Sequence, residues 1–149
     1  MKIFISQFFI LVAIAGLGAA ITFATVPLER ESSCLPETLE PEEVCLETIQ
    51  NEWTGQNVVW VDARSRKDFE KSAMPNAILL NTDPAEDFDE MLADSVEALA
   101  MADRVVVYCG ASGCHASKEI VGMLKSTGLV AEPVALFGGV KVLRKAGLM

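Results

Sequence analysis

The chain has 149 residues, a formal charge of −9 and 51% hydrophobic residues. That length admits one modest domain. The acidic balance, with no basic cluster, excludes a nucleic-acid backbone binder and a second docking surface for anionic lipid.

Part of the apolar excess lies at one end, where no charge occurs from Ile3 to Leu28. The twenty-four residues from Ile3 to Val26 would span about 36 Å as a helix, enough for a hydrocarbon core of roughly 30 Å. Residues 1–26 therefore read as one transmembrane helix retained as an anchor. The alternative is a cleaved signal with Thr22-Phe23-Ala24 as its small-x-small site, which would leave a secreted domain. Lys2 precedes the span, and Glu29, Arg30 and Glu31 follow it. The positive-inside rule then puts the domain outside the cytoplasm, on the periplasmic side, where disulfides are permitted. Glu31 argues against lipid attachment at Cys34.

Residues 27–40 read as an extended, solvated linker that carries Cys34. Residues 41–149 read as the folded domain. Pro41, Glu42 and Glu43 suit the start of a helix. Cys45, Ile49 and Trp53 recur on one face of it, and Gly55 ends it. Cys34 and Cys45 either pair with each other, or Cys45 is buried on its helix face and Cys34 stays free; the spacing leaves both open.

The stretch VVWVDAR, 58–64, reads as a short buried strand ending at Asp62. Residues 65–72 follow as a short helix with Phe69 inward, and 74–80 as a turn and a strand. Residues 83–102 carry Phe88, Leu92, Val96 and Leu99 at near-helical steps, with an acidic solvated face from Glu86 to Glu97. RVVVY, 104–108, is the clearest strand. Residues 116–127 return to helix, with Ile120, Val121 and Leu124 on one face and Gly128 as the stop. A strand at 133–137 leads through Gly138-Gly139 into a last helix ending near Gly147. Trp53 and Trp60 read as core aromatics. Strands alternating with helices predict an α/β domain, its mainly parallel central sheet flanked by helices. Ligands of such sheets gather beyond the carboxyl ends of the strands, where Asp62 and Cys109 both fall.

The loop after the clearest strand is YCGASGCHAS, 108–117. Cys109 leaves the strand, and Gly110, Ala111, Ser112, Gly113, Cys114 and His115 lead into the helix. Glycines tolerate left-handed backbone, so N–H groups can turn inward and form a concavity for an anion at a helix start. The same field lowers a thiol pKa from about 8.5 toward the thiolate. The loop can thus hold an activated sulfur nucleophile at Cys109 and cradle the outer sulfur of a persulfide. Cys114 reads either as an inert loop thiol or as a resolving thiol that closes a disulfide with Cys109. His115 reads as an exposed helix-start residue, because a zinc site usually wants four ligands. Nothing in the chain calls for a metal or a cofactor.

Three stretches carry a resemblance: VVWVDARSRKDFEKSAMPNAILL, DRVVVYCGASGCHASKEIVGMLKSTG and VALFGGVKVLRKAGL. In this order the chain resembles a single-domain rhodanese, a rhodanese-like sulfurtransferase. The resemblance places Cys109 at the family's nucleophile and makes Asp62 and Arg64 its structural Asp and Arg. It implies a Cys109 persulfide that takes sulfane sulfur from thiosulfate or another persulfide and passes it to a thiol or other thiophilic acceptor. The N–H groups of 110–114 would stabilise the anionic sulfur. Several residues depart from the pattern. Ser72-Ala73 replaces the usual Gly-His, Asn76 replaces a glycine, and Val140 replaces an aromatic residue. The loop is longer by about two residues, judged from the distance between Cys109 and Gly128, and it lacks a cationic side chain before Lys118. A phosphatase of the same fold would need Cys-x5-Arg to clamp phosphate, and His115 stands where that arginine belongs. The alternative to an enzyme is a non-catalytic, membrane-tethered persulfide carrier or a docking or redox module.

Overall fold

The structure is a computed structural model that describes residues 34–110 and 115–149. The expected anchor at 1–26 and the first part of the linker lie outside the described residues. Among the described residues, no helix is long and apolar enough to cross a membrane.

Five strands alternate with helices along the chain. They are β1 (Glu43–Val44), α1 (Leu46–Glu52), β2 (Val58–Asp62), α2 (Arg66–Lys71), β3 (Ile78–Leu79), α3 (Phe88–Ala100), β4 (Arg104–Tyr108), α4 (His115–Thr127), β5 (Val134–Leu136) and α5 (Gly139–Lys145). The strands form one sheet in the order β1-β5-β4-β2-β3, and each pairing is parallel. The parallel α/β architecture expected from the alternation is the one observed. Valine suits a strand buried on both faces, and β4 uses this fully. Val105 and Val107 face a cluster with Leu99, Ile120, Val121 and Leu124, while Val106 and Tyr108 face another with Leu46, Ile49, Val140 and Leu143. Period-two alternation thus puts α3 and α4 on one face and α1 and α5 on the other.

The first helix starts later than Pro41 suggests. Glu43 and Val44 form a strand instead: the Ala135 N–H donates to the Glu42 carbonyl (2.7 Å), and the Phe137 N–H donates to the Val44 carbonyl (2.9 Å). Edge pairing with β5 satisfies backbone groups that a helix would otherwise use, and it overrides the first-turn preference of proline. Cys45 becomes the N-cap residue of α1 and Trp53 its C-cap.

The acidic helix also starts late, at Phe88. The Asp87 carboxylate caps it, accepting from the N–H groups of Asp89 and Glu90. Before it, the Asp83 N–H donates to Asn81 Oδ1 and the Ala85 N–H to Asp83 Oδ1, so side chains hold the chain in turns. Of the four apolar residues expected inward, Leu99 is buried, whereas Val96 is 45% exposed and lies off the stripe. Trp53 and Trp60 are half-buried residues against the second cluster, not core residues.

Candidate active site

β4 is paired on both sides and delivers Cys109 to the carboxyl end of the sheet. Two backbone bonds steady that exit. The Ala63 N–H donates to the Tyr108 carbonyl (2.8 Å), and the Val140 N–H donates to the Cys109 carbonyl (2.8 Å). The second bond depends on the turn before α5. Gly138 has φ 80°, and a Cβ there would stand 2.7 Å from Val142 Cγ1. Only glycine meets both the left-handed backbone and this close approach. The glycine pair therefore orients the first peptide of the loop.

A buried polar network supports the strand end. Asp62 is fully buried, and Arg64 is 8% exposed. Arg64 Nε donates to both carboxylate oxygens (2.9 and 3.1 Å), and Nη2 donates to Oδ2 (2.6 Å). The Arg64 N–H adds a fourth bond to Oδ1 (3.0 Å). Nη2 also donates to the Ser72 carbonyl (2.5 Å), which ties the segment after α2 to the pair. The Asp62 carboxylate holds the Arg64 guanidinium above its already high pKa. Asn81 Nδ2 donates to the Arg64 carbonyl (3.1 Å). The Tyr108 ring lies 5.8 Å from the Arg64 guanidinium carbon, and its hydroxyl accepts from the Met74 N–H (3.1 Å). Burial pushes the Tyr108 hydroxyl above the ordinary range of a phenol.

Cys109 itself differs from the expected open thiolate. It is 2% exposed, packs with the first cluster, and its sulfur is disulfide-bonded. A neutral oxidised sulfur tolerates such burial, which an ionised one would resist. Gly110 is exposed, but its backbone is not left-handed, so the first glycine of the loop does not use its special freedom. The stem of Arg64 lies beside it, with Cδ 3.9 Å from where a Cβ would sit. Ala111, Ser112, Gly113 and Cys114 lie outside the described residues, and with them the expected anion cradle and the resolving thiol. His115 is the exposed first residue of α4. Cys34 and Cys45 are bonded to each other, with Cα atoms 5.7 Å apart, so the pairing alternative holds.

Three participants escaped the sequence reading: the Tyr108 hydroxyl, Asn81, and the pairing of β1 with β5. For Asn81 a signal existed, since a polar residue just past a strand's carboxyl end sits where such sheets place their functional groups.

A parallel α/β sheet that presents a cysteine at the end of its paired central strand, with a buried Asp–Arg pair at the same end of the sheet, defines a rhodanese-like domain. Residues 46–146 match the family described as Rhodanese-like domain, and the chain belongs to that family. No curated protein matches the chain. Solved structures share the fold. A thiosulfate sulfurtransferase from Pseudomonas aeruginosa superposes with a TM-score of 0.53 at 21% identity, over 79% of this chain but 21% of that one. The BH2092 protein of Bacillus halodurans gives 0.52 at 18% identity, over 70% of this chain and 72% of that one. A protein from Lactobacillus plantarum gives 0.50 at 22% identity, over 72% and 85% respectively.

Proposed function

We propose that the chain is a sulfurtransferase that moves sulfane sulfur through a persulfide on Cys109. The observation that carries this reading is the emergence of Cys109 at the carboxyl end of β4 in a rhodanese-like domain. The oxidised sulfur must first be reduced. The Cys109 thiolate then attacks the outer sulfur of the donor. With thiosulfate, the S–S bond breaks and sulfite leaves with the electron pair. A thiolate acceptor next attacks the outer sulfur of the persulfide, and Cys109 departs again as thiolate. No net oxidation occurs.

Arg64, whose stem lies beside Gly110, has its Nε and Nη2 engaged by Asp62 and Ser72. Free inorganic thiosulfate, a dianion, therefore has little cationic help, and a persulfide donor suits the site better. The main-chain donors that this reading asks of residues 110–114 lie, after Gly110, outside the described residues. Residues 1–26 tether the domain to a membrane on its extracytoplasmic side. The Cys34–Cys45 bridge supports that placement, because disulfides persist in oxidising compartments.

The test is to mix the reduced full chain with thiosulfate or a low-molecular-weight persulfide, and with cyanide as acceptor, and to measure thiocyanate. Turnover that vanishes in Cys109→Ser supports the enzyme. A second reading, a non-catalytic persulfide carrier or redox module, draws on the burial and oxidation of Cys109. It predicts a mass gain of one sulfur atom without turnover. Neither result, with the protein folded and reduced, refutes both.

A further inference from the structure

The sheet brings a second sulfur pair to the edge that presents Cys109. Val44 of β1 is level with Leu136 of β5, and Val107 of β4 is level with Ala135 of β5. One or two steps further along the strands, Cys45, Phe137 and Cys109 come level. Only β5 separates β1 from β4. Two inter-strand spacings of roughly 4.8 Å put the Cα atoms of Cys45 and Cys109 roughly 10 Å apart.

The two residues also share a face. Val44 packs in the cluster of Val106 and Tyr108, and Cys109 packs in the opposite one with Val105 and Val107. Cys45 follows Val44 with extended backbone, so alternation turns it to the Cys109 face. Lys118, in the first turn of α4 on that face, holds Glu40 and Glu43 at 3.0 Å each. The Cys34–Cys45 bridge thus lies beside the start of the helix that follows the Cys109 loop. Cys45 is 2% exposed, whereas Cys34 is partly exposed and lies in no helix or strand. Cys34 is the sulfur that a reductant reaches, and the one whose backbone is held by no ladder.

We propose that Cys34 and Cys45 form an internal thiol–disulfide relay that carries electrons to the disulfide of Cys109 and so releases the nucleophile. What the released thiolate then does rests on the sulfurtransferase reading. An external dithiol attacks Cys34, the Cys34–Cys45 bond breaks, and Cys45 leaves as thiolate. The second thiol of the donor resolves the mixed disulfide, so the donor departs oxidised by two electrons and Cys34 and Cys45 are both reduced. The Cys34 thiolate, its coil no longer clamped, attacks the Cys109 sulfur, and the former partner of Cys109 leaves as thiolate and takes up a proton. Cys45 then attacks Cys34, the bridge reforms, and Cys109 leaves as thiolate. Two electrons enter, and one disulfide is consumed.

The experiment treats the oxidised full chain with limiting dithiothreitol, quenches by alkylation over time, and maps each cysteine by mass spectrometry. The wild type should show Cys34 and Cys45 alkylated before Cys109. Cys34→Ser with Cys45→Ser should slow the release of Cys109 about tenfold or more, since an internal dithiol acts at an effective concentration of order millimolar. Cys45→Ser alone, which leaves Cys34 free, should accumulate a Cys34–Cys109 cross-link. This second variant decides the matter if the double variant fails to fold. Equal release rates together with no cross-link would overturn the relay and leave the bridge as a clamp. Sulfur loading of the fully reduced wild type is measured alongside. If it loads but the relay fails, only the relay is wrong; if it does not load, the sulfurtransferase reading fails independently.

Discussion

Replacing Asp62 with alanine should destabilise the domain more than any surface change. The wild-type carboxylate is fully buried and receives four bonds from Arg64. Its removal strands a guanidinium on a residue that is 8% exposed, with the Ser72 carbonyl still accepting from Nη2. Stranding one member of a buried pair costs about 3–5 kcal/mol. A domain of ordinary stability, about 5–15 kcal/mol, loses a large fraction of its total. Asp62→Asn keeps the shape and one acceptor but loses the charge, and should cost about 1.5–3 kcal/mol, the worth of a hydrogen bond to a charged group. Adding Arg64→Met to Asp62→Asn removes the stranded charge. The double variant should therefore lose less than the sum of the single ones by about 1 kcal/mol or more. Urea unfolding followed by tryptophan fluorescence measures all of these. With a slope near 1.5 kcal/mol per molar, a loss of 3–5 kcal/mol lowers the midpoint by about 2–3 M. A loss below about 1 kcal/mol in Asp62→Ala, or strict additivity in the cycle, would show that the pair is solvated and that the network does not hold the strand end.

Other outcomes follow from the same geometry. Gly138→Ala must adopt φ 80° and press on Val142 at 2.7 Å, so it should cost about 1–3 kcal/mol. Calorimetry would record a melting temperature lower by about 4–8 °C for each kcal/mol; an unchanged value would show that the turn relaxes freely. Cys34→Ser with Cys45→Ser opens a short loop, the cysteines being separated by 11 in sequence, and should cost about 2–3 kcal/mol in denaturant unfolding. Full retention of stability would mean that Lys118 and its two glutamates hold that edge alone. Tyr108 is an acid whose folded pKa is raised from 10.0, so its contribution is complete below pH 10. That contribution is lost above pH 10, at up to about 1.4 kcal/mol per pH unit. Tyr108→Phe should remove this alkaline slope while losing the bond from the Met74 N–H; an identical slope in both proteins would assign it to another group.

What was legible in the sequence, and what was not, divides by the distance over which each feature is decided. The runs at 58–62 and 104–108 are strands because valine fits a sheet buried on both faces, and that preference is local. The Gly138-Gly139 turn is local as well, since no other residue takes that backbone cheaply. The start of α3 is nearly local, but Asn81, Asp83 and Asp87 are all residues that can cap or turn the chain, and only the folded chain shows the first two accepting in the turns and Asp87 as the cap. Pro41 misled because the alternative to a helix there was a ladder with Ala135 and Leu136, at the other end of the domain. The cysteines follow the same rule. A cysteine at a strand's end can be read from the strand and its loop. That a second pair of cysteines shares its edge and its face can be read only once β1 is known to pair with β5. The proximity of this pair to Cys109 is therefore a property of the sheet, set by the pairing of β1 with β5 and of β5 with β4, rather than of one loop.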